Sequence, residues 1–210
     1  MLSPIFTIGH SNHSPEHFLA LLEQHAITAV CDVRSRPYSY RNPQFNREGL
    51  KESLSAQHIK YVFLGQELGA RSEDPACYQQ GKISYDRLAR TDLFQQGLDR
   101  VEEGMKTQRV AVLCAEKEPL DCHRTILVAR HLALRGLVIH HIHADGATET
   151  HPAVLYRLAN SLNLRANELH LFRSPEDLLN EAYSLQERRI AYQPEEGDPH
   201  SFPGLKSFAR

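Results

Sequence analysis

Short apolar runs alternate with amphipathic stretches along the first two thirds of the chain, and that alternation predicts the fold. Ile5 to Ile8 is an apolar run ending at Gly9, and Pro15 then opens a helical pattern in which Phe18, Leu19, Leu21 and Leu22 share a face. Ile27 to Val33 is rich in β-branched and apolar residues, as a strand buried on both faces must be. After a polar loop from Arg34 to Asn46, Arg47 to Gln57 has helical spacing through Leu50 and Leu54, and Ile59 to Leu64 supplies a third strand. Gly65 to Lys82 has no regular period. Ser84 to Lys106 predicts one or two helices that turn Leu88, Leu93, Phe94, Leu98 and Val101 inward. Val110 to Leu113 is a fourth strand, Cys122 to Arg135 a helix stopped by Gly136, and Leu137 to Ile142 a fifth strand. Strands that alternate with helices imply right-handed crossovers, so the expected class is α/β, a mostly parallel five-stranded sheet with helices on both faces.

Beyond Asp145 the strand signal fades, and His151 to Asn163 and Pro175 to Arg188 read as two C-terminal helices. The expected organisation is a sheet domain over 1–145, a helical extension over 146–192 packed on it, and a mobile tail over 193–210 rich in Pro and Gly. A length of 210 residues is enough for one full core. No apolar run approaches the ~18 residues that span a bilayer, so no membrane partner is expected. The first ten residues lack the basic stretch and apolar run of a secretory signal, which points to the cytoplasm. There the irregularly spaced Cys31, Cys77, Cys114 and Cys122 are expected as free thiols. With 24 Lys and Arg against 26 Asp and Glu, the net charge of −2 removes any global electrostatic case for nucleic-acid binding.

Ligands of open parallel sheets bind beyond the carboxyl ends of the strands. The residues just past each run are therefore the candidates: His10 and Ser11, Asp32 to Pro37, Gly65 to Arg71, Cys114 to Glu116, and His143 to Gly146. Asp121, Cys122, His123 and Arg124 would form the N-cap and first turn of a helix, where the dipole and Arg124 favour a thiolate and free N–H groups favour an anion. Cys114 ends a buried strand, the position of the nucleophile in cysteine phosphatases. The arginine that such a loop needs six residues later is Leu120 here, so the phosphatase loop is absent. Arg34, Arg36, Arg41 and Arg47, interleaved with Tyr38, Tyr40 and Phe45, suit phosphate contacts and base stacking. Cys114, Cys122 and His123 lie close along the chain, with His10 or His143 able to approach from neighbouring strand ends. No CxxC spacing accompanies them, and no metal or other cofactor is assigned.

The segments Thr7 to Ser11 (TIGHS), Asp32 to Ser39 (DVRSRPYS) with Phe45 following, Leu64 to Gly69 (LGxxLG) and Leu113 to Arg124 (LCAEKEPLDCHR) together resemble the family called domain of unknown function 488. Ala70 stands where the third motif usually has a further glycine. The resemblance spans about residues 5 to 150. It implies one α/β domain with His10, Ser11, Asp32, Arg34, Pro37, Cys114, Glu116, Cys122, His123 and Arg124 as signature positions, and no assigned activity. Residues and resemblance together point first to a thiol-dependent transferase or hydrolase acting on a small anionic substrate. In that reading Cys122, then Cys114, is the nucleophile, and Glu116, His10 and Asp32 move protons. Ser11, Arg34, Arg36, Pro37, Phe45, His123 and Arg124 hold the substrate. The alternatives are a nucleic-acid-binding module built on the Arg34 to Arg47 loop, and a metal-dependent hydrolase.

Overall fold

The computed structural model describes residues 3–164 and 173–194. A central sheet is built from β1 (Ile5–Gly9), β2 (Ala29–Asp32), β3 (Lys60–Phe63), β6 (Val110–Cys114), β7 (Ile139–Ile142) and β8 (Thr148–Thr150), in the order β3-β2-β6-β1-β7-β8. The first five are mutually parallel, at the positions expected from sequence. The sixth is a correction. β8 runs antiparallel on β7, so it extends the sheet inside the stretch expected to be wholly helical. A two-stranded hairpin, β4 (Tyr78–Gln79) with β5 (Lys82–Ile83), also lies in the segment read as irregular.

Period-two alternation assigns the two faces. In β6, Val110, Val112 and Cys114 enter one core while Ala111 and Leu113 enter the other. The second core is closed by α1 (Pro15–Gln24), through Phe18, Leu21 and Leu22, and by α2 (Arg47–Ala56), through Leu50 and Leu54. The first, larger core takes the apolar faces of α3 (Tyr85–Ala89), α4 (Asp92–Met105), α5 (Arg130–Leu134), α6 (His151–Ser161) and α7 (Pro175–Ile190). Four of these helices start at a Ser or Thr whose hydroxyl accepts a free backbone N–H: Ser84, Thr91, Thr150 and Ser174. No helix among the described residues is long and apolar enough to cross a membrane. The tail expected over 193–210 lies, from residue 195 on, outside the described residues.

The helix expected from Cys122 to Arg135 is also different. A 3-10 turn, Pro119–Asp121, is followed by Cys122 in extended conformation (φ −136°, ψ 139°), a π-helical segment Arg124–Ala129, and then α5. The capping residue is accordingly Cys122 rather than Asp121, and its Sγ accepts the Arg124 N–H at 3.4 Å. Every residue from Arg124 to Ala129 is buried, so this segment has no open N-terminus to offer a ligand.

A buried polar chain fastens the C-terminal helices to the sheet. Thr7 Oγ1 and His141 Nδ1 are 2.7 Å apart, His141 Nε2 and His151 Nδ1 2.9 Å, and His151 Nε2 and the Tyr183 hydroxyl 2.8 Å. With each ring neutral, one proton sits in each gap between neighbours, and a second proton on either ring would bury a charge with no carboxylate partner in this polar chain. Burial holds His151 down to about 4. Burial, then the neighbouring His151 and Arg124, holds His141 well below its ordinary value. The unfolded chain takes up protons below about 6.5, so the stability contributed by the neutral rings is complete above that pH and is lost as pH falls towards 4. Denaturation between pH 7 and 4 should show His151 contributing about 3 kcal/mol of that loss. His151→Gln should flatten the pH dependence over this range, and an unchanged slope would refute the assignment.

Candidate functional site

The loops after β1, β2 and β6 stay laced together past the strand ends. His10 N–H donates to Cys114 O at 3.0 Å, Ser11 N–H to Ala115 O at 2.8 Å, and Val33 N–H to Leu113 O at 3.0 Å. This extended ladder brings the three strand-end motifs to one end of the sheet, as the parallel topology requires. The pleat then separates their side chains into two groups.

One group faces the α1/α2 side. Asp32 is fully buried and accepts from Arg34 Nε at 2.9 Å, Arg34 Nη2 at 2.6 Å, the Arg34 backbone N–H at 3.1 Å and the Tyr61 hydroxyl at 2.8 Å. With its lone pairs committed, Asp32 holds Arg34 in position rather than moving protons. Arg34 Nη1 donates to His10 Nε2 at 3.1 Å, and His10 Nδ1–H donates to Ser11 O at 2.8 Å. Burial and the adjacent Arg34 lower His10 to about 4, so it stands neutral with both nitrogens in use. Its ring stacks on Phe45 at 4.5 Å, and Phe45 also meets Phe18 edge-on. Phe45 is 1% exposed and belongs to the core, which corrects its expected role in holding a substrate. Pro37 is likewise buried, its carbonyl accepting Arg47 N–H. The Ser11 hydroxyl donates to Asn12.

The other group faces α4 and α7. Cys114 and Cys122 both lie within hydrogen-bond reach of Glu116 Oε2, at 3.1 and 2.9 Å, and Cys114 Sγ is 3.5 Å from His123 Nδ1. His123 Nε2–H donates to Val33 O at 3.1 Å, which fixes the ring and leaves Nδ1 facing the thiols. Burial alone would raise the Cys122 thiol. The hydrogen bond from Cys114, the Arg124 guanidinium and His123 outweigh it and hold Cys122 well below the ordinary thiol value. Burial and the Cys122 charge raise Cys114, and the same two causes raise Glu116. Cys122 raises His123 against the effect of burial. The cluster thus biases Cys122 towards the thiolate and His123 towards its protonated form, and Cys114 and Glu116 towards their neutral forms.

Arg124 supports this cluster from beneath. It is fully buried, and its terminal nitrogens donate to Glu116 O at 2.6 Å and Lys117 O at 3.1 Å. Such a guanidinium cannot meet a solvent-borne anion, so Arg124 is corrected from substrate holder to positioning residue. Gly9 makes the arrangement feasible, because a Cβ there would lie 1.8 Å from Glu116 O.

A cleft of about 300 Å³ opens over the second group. Cys114, Glu116 and His123 form part of its wall, with Arg34, Ser35 and Arg36 entering from the β2 loop. Arg71, from the expected loop past the third strand, lines it with Tyr85, Ile190 and Tyr192, which were absent from the sequence-based candidates, and Arg71 stacks over Tyr192 at 4.2 Å. Tyr192 carries no local signal, since it arrives from the end of α7 through Ile83 N–H donating to Tyr192 O. Close approach explains the LGxxLG motif: a Cβ on Gly65 would lie 2.1 Å from Arg34 O, and one on Gly69 2.4 Å from Ser35 Oγ.

Residues 14–131, more than half of the chain, match the family described as Domain of unknown function DUF488. The chain belongs to this family. No curated protein and no solved structure matches it. The DUF488 match contains the Asp32–Arg34 pair and the whole Cys114 to Arg124 cluster, whereas His10, Ser11 and Tyr192 fall outside it.

If Asp32 positions Arg34 as described, Asp32→Asn leaves a buried guanidinium uncompensated and should cost about 3–5 kcal/mol in urea denaturation. Unaltered stability would return Asp32 to the list of proton-transfer candidates.

Proposed function

We propose that the protein is an enzyme acting on a small anionic substrate by thiol chemistry in the Cys114 cleft. One observation carries this reading: a sulfur with an imidazole and a carboxyl group beside it shares a cleft wall with Arg34, Arg36 and Arg71. The order of the thiols is the reverse of that expected from sequence. Cys114 lines the cleft, while Cys122 lies behind it at 1% exposure. Cys114 is the attacking sulfur in this account. As it bonds to the electrophilic carbon or phosphorus of the substrate, its proton passes to the Cys122 sulfur, and the leaving group takes the proton held by Glu116. Arg34 keeps N–H groups beyond those used by Asp32 and His10, and with Arg71 it suits a phosphoryl or carboxylate group.

The nucleic-acid reading finds less support. Phe45 is interior, the Tyr38 hydroxyl is engaged by Glu48, and Arg47 lies over the Phe63 ring, which leaves Tyr40 as the fully open aromatic of that loop.

Alkylation of chelator-treated protein tests the proposal. In this step the sulfur bonds to the methylene carbon and iodide leaves. Anionic iodoacetate should modify Cys114 or Cys122 roughly tenfold or more faster than neutral iodoacetamide, and Arg71→Ala should reduce that preference. Modification confined to Cys31 and Cys77, or equal rates for the two reagents, would refute it.

A further inference from the structure

The donors of the thiol cluster are also those of a soft metal site. The sulfurs of Cys114 and Cys122 and a ring nitrogen of His123 all lie within 4.8 Å of one another. A tetrahedral zinc ion with Zn–S of about 2.3 Å and Zn–N of about 2.0 Å spaces its donors by about 3.5–3.8 Å, so only a small closing movement is needed. The 3.5 Å between Cys114 Sγ and His123 Nδ1 already meets that spacing. Glu116 Oε2, about 3 Å from both sulfurs, adds a carboxyl group beside these three donors without belonging to the set.

Two further features are those of a metal site's surroundings. The His123 Nε2–H bond to Val33 O is the orienting contact that metal-bound imidazoles make through their other nitrogen. The buried Arg124 meets no carboxylate within ion-pair distance among the described residues, and its Nε meets no protein acceptor. Two thiolates, one carboxylate, a divalent cation and Arg124 sum to zero charge with His123 neutral. Such an assembly is the form in which buried charges are tolerated.

We infer that Cys114, Cys122 and His123, with the Glu116 carboxyl beside them, bind zinc or a similar soft divalent cation. Binding, as two thiolates with a carboxylate and a neutral imidazole, releases to solvent whatever protons these four groups held and ties up both sulfurs. The metal-bound and thiol-reactive forms are then alternative states of one site, a consequence that rests on the function proposed above. The binding itself does not depend on it. His10 and His143, the histidines considered from sequence, take no part: His10 is held by Arg34 and Ser11, and His143 contacts Glu149 at 3.1 Å.

Cobalt(II) titration of the full-length, chelator-treated protein is the test, because thiolate-to-cobalt charge-transfer absorption reports sulfur ligation directly. The wild-type protein should develop this absorption up to one equivalent, and one equivalent of zinc should abolish it. Cys114→Ser and Cys122→Ser should each remove about half of the intensity and weaken binding by at least about tenfold, whereas Cys77→Ser should leave the spectrum unchanged. Absence of the band in folded wild-type protein, or its persistence in the Cys114→Ser/Cys122→Ser double variant, would overturn the site. Iodoacetate separates the two proposals. No band together with fast alkylation of Cys114 overturns the metal site alone, and a band without preferential alkylation overturns the thiol enzyme alone.

Discussion

A fully buried guanidinium sets the constraint on which the site depends. Arg124 lies under the end of β6 and, through the carbonyls of Glu116 and Lys117, holds that loop against the start of the π-helical segment. Its charge is accommodated there more easily if something close by is negative, and Cys122 and Cys114 are thiols whose ionised forms it favours. The bias of Cys122 towards the thiolate follows from this demand. So does the need for Gly9, since any larger residue on β1 would displace the carbonyl that Arg124 grips.

Around this cation the chain has built two polar networks with different work to do. Asp32, Arg34, His10 and Tyr61 are mutually satisfied and rigid, and their product is the placement of Arg34 at the rim of the cleft. Cys114, Cys122, Glu116 and His123 have more acceptor capacity than protons to fill it, the condition under which groups ionise, ligate or react. The first set comes from β2, β3 and the loops after β1 and β2, the second from the end of β6 and the turn before the π-helical segment, and they meet where Arg34 and Cys114 line one cleft.

The parallel strands were legible because each is a run of apolar residues with no alternative use, and the DUF488 motifs mark the loops that follow them. β8 was not, since Thr148, Glu149 and Thr150 form a polar edge strand that only its pairing with β7 defines. The turn at Cys122 misled in another way. Helical periodicity continues through a π-helical segment well enough to suggest a regular start, yet the extended backbone of Cys122 turns its sulfur onto Arg124 N–H. Of the expected site, the strand-end rule marked residues that lie at one end of the sheet without saying which side of the sheet each would face. Phe45 and Arg124 were misread because aromatic and basic side chains suggest ligand contact until burial is known. Tyr192 joins the cleft through α7, a contact more than 100 residues distant from β2 in sequence that local pattern cannot show.

The central claim is that one cleft presents the Cys114 sulfur to guanidinium groups. A crystal structure of the protein after reaction with iodoacetate tests it most directly. The account predicts a carboxymethyl group on Cys114 whose carboxylate lies within hydrogen-bond distance of Arg34 or Arg71. A carboxymethyl group on Cys31 or Cys77, or one on Cys114 whose carboxylate turns away from both arginines, would contradict it.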